Sequence, residues 1–223
     1  MRTFQRFNKK EPKAKTCKVC GNEFMPRTTT QVICSTLCAV KNAELKLIAK
    51  ANRQARAEAK VWHENNDKIS VFENKLQGHI NAIARHIDYG QPCIATGSYE
   101  GKQNGGHYIS VGSNKTIRYC LHNVHLQSEH SNTWKSGDTL RYQQGIIKRY
   151  GKDYLDFMDN LQSCQPIKLN RKEIFELITK AAKIRKSLEN NLMVRTPQQR
   201  IQLRNEINLE LGIYKNEYCE FKQ

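Results

Sequence analysis

Residues 105–113, G-G-H-Y-I-S-V-G-S, and residues 123–137, N-V-H-L-Q-S-E-H-S-N-T-W-K-S-G, decide how the chain is read. His107 falls where a short apolar strand gives way to a Gly/Ser/Asn turn. Ile117, Tyr119 and Leu121 then alternate with Arg118 and Cys120 as a second strand does. From residue 131 to 135 the polar pattern suits the start of a helix. Strand, loop, strand and helix make a compact ββα unit. In such a unit one strand can carry a His and the facing helix a metal ligand, so that a hydrolytic water and a Mg²⁺-type ion meet over one phosphate.

His107, then Asn123, then Asn132 nine positions later, then Lys135, is an order that resembles the signature of HNH (His-Me finger) endonucleases. The runs G-H-Y-I-S, I-R-Y, H-N-V-H-L-Q and N-T-W-K-S-G-D are similar to one branch of them, the lambdoid phage NinG (Rap) recombination family, which cuts Holliday junctions and other branched DNA. The likeness reaches back through a Cys cluster at Cys17 and forward through R-Y-Q-Q-G-I-I-K-R-Y-G.

The resemblance implies a role for each position. His107 is the expected general base, a task suited to an imidazole with an unperturbed pKa of about 6.5. Asn123 is expected to hold the other ring nitrogen of the base. Asn132, where many family members have a His, is expected to ligate the ion, and its amide oxygen favours Mg²⁺ or Mn²⁺ over zinc. Lys135 and Arg118 are expected on the phosphates flanking the cut. Lys115, Lys148 and Arg149 join them as expected DNA contacts.

Two departures follow. Many family members carry an acidic ligand immediately before the base, where this chain has Gly106, so His125 is the candidate for a second protein ligand. The zinc knuckle that often staples the fold through two C-x-x-C pairs is reduced to Cys93, with Thr96, Ser128 and Ser131 in the other places. One Cys cannot hold a structural zinc. The expectation is therefore no zinc in this module, with apolar packing in its place, and solvent-facing positions for His122 and His130.

The bulk properties agree with a nucleic-acid protein. The 223 residues carry a net charge of +16, and hydrophobic residues make up 38%. Residues 1–60 hold fourteen Lys/Arg against four Asp/Glu, or +10, whereas residues 61–100 hold three against five, or −2. Such a field attracts polyanions, and without a long apolar run the polyanion is nucleic acid rather than a membrane. No signal peptide or membrane span is apparent, so a cytoplasmic location in a bacterial host is expected. In a reducing compartment clustered cysteines read as metal ligands.

Residues 1–15 read as a basic arm. Cys17 and Cys20, then Cys34 and Cys38 after thirteen intervening residues, form a finger for one Zn²⁺, with Phe24, Val32 and Ile33 as a tiny core. Residues 39–59 have helix composition, and residues 63–67 break it. A second helix is expected over 68–89. Short helices follow over 140–150 and 154–161, parted by Gly151. An amphipathic pair, 170–191 and 197–211, is capped by Asn170 and by Thr196-Pro197. For that pair, intrachain packing and homodimerisation both stay open.

The expected fold class is α+β: a small ββα-metal (HNH) nuclease core with an N-terminal zinc finger and flanking long helices. The boundaries are 1–15, 16–60, 61–162 and 163–223. The expected function is metal-dependent, structure-selective endonuclease activity on branched DNA. The alternative is a non-catalytic zinc-finger DNA-binding accessory protein.

Overall fold

The computed structural model describes residues 13–133 and 138–222, which form two units divided after Asp67. In the first unit β1 (Lys15–Thr16) and β2 (Glu23–Phe24) pair antiparallel, with Lys15 opposite Phe24. Gly21, at φ +75°, makes the knuckle between them. Val32 stays 38% exposed, and Phe24 and Ile33 are only half-buried. The expected tiny core is therefore slight, and apolar burial does not hold this unit.

Helix α1 (Thr36–Asn66) opens on Ser35, whose hydroxyl accepts from the Cys38 N–H, and none of its residues is buried. It runs through the break expected at 63–67. Nothing there stops a helix, since residues 36–66 contain neither Gly nor Pro, and the Asn66 amide donates back to the Trp62 carbonyl.

The second unit is built on α2 (Ile69–Ile87), whose stripe Phe72, Leu76, Ile80, Ile83 and Ile87 is buried. Strand β3 (Gln103–His107) pairs antiparallel with β4 (Val124–Ser128), placing Gly106 opposite His125 and His107 opposite Val124. The second strand is thus residues 124–128 and not the 117–121 alternation. Ile117, Tyr119 and Leu121 are buried as expected, but the chain there makes successive short-range turns, with Cys120 N–H on the Ile117 carbonyl and Asn123 N–H on the Cys120 carbonyl.

After β4 come α3 (Glu129–Thr133), α4 (Thr139–Tyr150) and α5 (Lys152–Asn160). Gly151, at φ +93°, separates the last two. Helix α4 lies so close to the 92–97 loop that a Cβ on Gly145 would sit 1.8 Å from the Ile94 carbonyl oxygen.

Capping boxes at Asn170 and Thr196 start α6 (Arg171–Asn190) and α7 (Pro197–Leu211), and Gly212 ends α7 in the left-handed region. A short α8 (Asn216–Cys219) follows. Helices α6 and α7 pack within the same unit as the ββα element, α6 along α2, so residues 163–223 are no separate domain and the unit starts at 68 rather than 61.

The fastening of α7 is ionic. Arg204, fully buried, places Nη2 2.8 Å from Oδ2 of fully buried Asp88, and its Nε donates to the Leu121 carbonyl. Asp88 also accepts from the Tyr150 hydroxyl and the Leu126 N–H. Burial pushes the Asp88 carboxyl up, but the Arg204 charge and hydrogen bond outweigh it and hold it below its ordinary value.

Candidate functional site

In the first unit the four sulfurs of Cys17, Cys20, Cys34 and Cys38 all lie within 4.8 Å of one another. The Cys20–Cys34 and Cys34–Cys38 pairs are 3.6 Å apart. Tetrahedral zinc with Zn–S near 2.3 Å spaces its sulfurs by about 3.8 Å, so the set fits one ion. The thiols also need a cation. Ser35 lowers Cys34, but its three sulfur neighbours outweigh that and push it up to about 12, while backbone N–H groups of Cys20 and Val19 bring Cys17 down to about 6.

In the second unit His107 sits at the end of β3 on the wall of a cleft of about 730 Å³ that Asn132 of α3 also lines. The His107 Nε2 is 3.0 Å from the Arg118 carbonyl oxygen, which can only accept, so Nε2 carries the proton and donates. The Gln77 amide nitrogen lies 3.1 Å from the same Nε2 and spends a hydrogen on Asn81. Nδ1 makes no hydrogen bond to any described residue. Burial in the cleft wall lowers the His107 pKa below 6.5, so the imidazole is neutral near pH 7.

The cleft also holds Tyr108, Gln143 and Asp159. The Tyr108 hydroxyl donates to Asp159 Oδ1 at 2.7 Å and receives the Gln143 amide at 2.6 Å.

Sequence comparison fits this geometry to a known family. The profile described as "Bacteriophage Lambda NinG protein" matches residues 9–191. The chain belongs to the NinG family. "Protein ninG" of Escherichia phage lambda is 27% identical over 186 residues, covering 71% of this chain and 90% of that protein. Its counterpart in Enterobacteria phage H19B is 28% identical over 187 residues, covering 73% and 93%. That of Escherichia phage 933W is 24% identical over 184 residues, covering 71% and 90%. No solved structure matches the chain.

Within this NinG chain the expected site residues divide. His107 and Asn132 share the cleft. Asn123 does not touch the imidazole. Its buried amide accepts from Ile109 N–H at 2.8 Å and donates to the Ile109 carbonyl at 3.0 Å, pinning the loop that follows the base. The Arg118 carbonyl does the orienting instead. The Arg118 guanidinium is engaged on α2 with Gln77 and Asn74, near Glu73, and does not line the His107 cleft.

His125 is fully buried and also stays out of that cleft. The Tyr142 hydroxyl donates to the Gly106 carbonyl and therefore accepts from His125 Nδ1, leaving Nε2 without a partner among the Tyr150 and Tyr154 rings. Lys135 lies outside the described residues. Lys115 lines a separate pocket with Arg118, and Lys148 and Arg149 line a third of about 420 Å³.

His122, expected at the surface, is fully buried between the Tyr154 hydroxyl and the Cys219 carbonyl, whereas His130 is exposed. The staple region of this NinG chain does bring its four positions together, but through polar contacts rather than apolar packing. The Cys93 sulfur accepts from the Thr96 and Ser128 N–H groups at 3.4 and 3.2 Å and meets the Ser131 hydroxyl at 3.5 Å.

Proposed function

We propose that this NinG-family chain is a metal-dependent endonuclease acting on branched DNA such as four-way junctions. One observation carries the reading: an imidazole whose Nε2 is tied to a backbone carbonyl presents its other face to an open cleft that an amide from the next helix also lines. His107 Nδ1 then takes the proton of the attacking water, and the Arg118 carbonyl fixes the tautomer through that transfer. Asn123 holds the backbone beyond the base, so the ring cannot swing away. Asn132 supplies a hard oxygen, the donor type that Mg²⁺ or Mn²⁺ prefers. Such an ion, when bound, offsets charge developing on the leaving oxygen.

DNA as substrate rests on the net charge of +16, and affinity from phosphate contacts alone suits an enzyme that selects shape over sequence. The four cysteines supply a zinc finger with basic residues around it. No helix among the described residues is long and apolar enough to cross a membrane.

A synthetic four-way junction and a plasmid, each incubated with Mg²⁺ or Mn²⁺, test the reading. Cleavage that disappears in His107→Ala while junction binding persists supports it. A junction bound tightly by the wild type but never cut makes the chain a DNA-binding accessory protein instead.

A further inference from the structure

Building on the nuclease reading, we infer that Asp159 is the carboxylate ligand of the divalent ion, contributed by α5 in place of the acidic residue that HNH enzymes often carry just before the base. At Gly106 no side chain can serve. A Cβ there would stand 1.9 Å from Gln127 Oε1 and 2.8 Å from Gln127 Cβ, so this face of β3 is closed by its own neighbour. The charge has to come from another element.

Asp159 is the one carboxylate among the described residues lining the cleft that His107 and Asn132 share. It is also held in place. Its Oδ1 takes the Tyr108 hydroxyl at 2.7 Å, and Tyr108 is in turn fixed by the Gln143 amide. Burial, aided by Asp159 itself, pushes the Tyr108 pKa up to about 12, so this tyrosine stays a donor at any working pH. Oδ2 of Asp159 makes no hydrogen bond to a described residue.

A carboxylate oxygen with its partner atom fixed and its second oxygen open is the donor that hard cations take up. With the Asn132 amide it makes an oxygen-only set, completed by water and phosphate as Mg²⁺ sites usually are. The neighbouring Asp156 on α5 is exposed and paired with Lys152, which makes it the natural control.

The test is Mn²⁺ binding by the full chain with zinc already loaded, free Mn²⁺ being read by its electron paramagnetic resonance signal. The wild type is expected to take up one Mn²⁺ beyond its zinc. Asp159→Asn, which keeps an oxygen for Tyr108 and so an unchanged melting temperature, is expected to weaken that uptake about tenfold or more. Asp159→Glu retains part of it, and Asp156→Asn binds as the wild type does. Equal Mn²⁺ affinity in Asp159→Asn, or no Mn²⁺ uptake by the wild type, overturns the inference.

Junction cleavage, measured in parallel, keeps the two proposals apart. A wild type that cuts while Asp159→Asn still binds Mn²⁺ normally removes Asp159 and leaves the nuclease. A wild type that binds Mn²⁺ through Asp159 but cuts nothing removes the nuclease and leaves the ion site.

Discussion

At His107 the fold has already chosen which nitrogen can work, and it has lowered the pKa by burial. A general base acts only when neutral, so the cleavage rate should hold its plateau as pH falls to about 6.5, where a free imidazole is half protonated, and decline below that. A pH–rate profile whose acid limb is centred at or above 6.5 contradicts this assignment. His107→Ala should lower junction cleavage by roughly 10²–10⁴ with binding little changed. Gly106→Ala forces a methyl into Gln127 and should cost about 1–3 kcal/mol in a urea titration. His107 and Asn132 were legible in the sequence because their order along the chain is short and specific. The partner of Asn123 was not, since spacing does not say whether an amide reaches a ring or a backbone. Nor did anything mark Asp159 out from Asp153 and Asp156 on the same helix, because only the packing of α5 shows which of them reaches the cleft.

Among the elements, the finger and the long helix behave as their composition predicts. The strand reading failed where tertiary burial imitated periodicity: Ile117, Tyr119 and Leu121 face the interior from an irregular segment, so alternation appeared without a ladder. The knuckle at Cys93 was legible as a loss of ligands but not as a hydrogen-bonded replacement, since Ser and Thr in those places read equally well as solvent-facing turn residues. The two cysteine features lead to opposite expectations. Atomic absorption should count one zinc per chain, bound by Cys17, Cys20, Cys34 and Cys38. Its removal by a strong chelator should collapse the amide signals of β1 and β2, because metal binding and folding are one event in so small a finger. The melting transition of residues 68–223 should be unmoved, and a shift there would place a metal in the body.

On the scale of the whole molecule, the C-terminal helices are not an appendage. Capping residues made α6 and α7 readable, but Arg200, Arg204 and Asn208 sit buried on a helix where basic residues at four-residue spacing look like a solvated face. Their partner, Asp88, is remote in sequence, so no local pattern could reveal the pairing. Arg204→Leu leaves that carboxylate unpaired in the interior and should destabilise the body by about 3–5 kcal/mol, measured by denaturant unfolding. Acid should act on the same interior. His122, brought by burial to about 3, and His125, lowered well below 6.5, bind protons more readily unfolded than folded. Stability should therefore be full above about pH 6.5 and fall as the pH drops towards 3, by up to about 1.4 kcal/mol per pH unit for each ring. Melting temperatures recorded between pH 7.5 and 4.5 check this. The Asp88–Arg204 link also sets a timetable. Its two ends lie 116 positions apart, so a nascent chain emerging from the ribosome carries the base and its cleft long before the cation that locks them arrives. Competence should come late in translation, and a transcript truncated before codon 204 should yield a product that proteases clear rather than a smaller working enzyme.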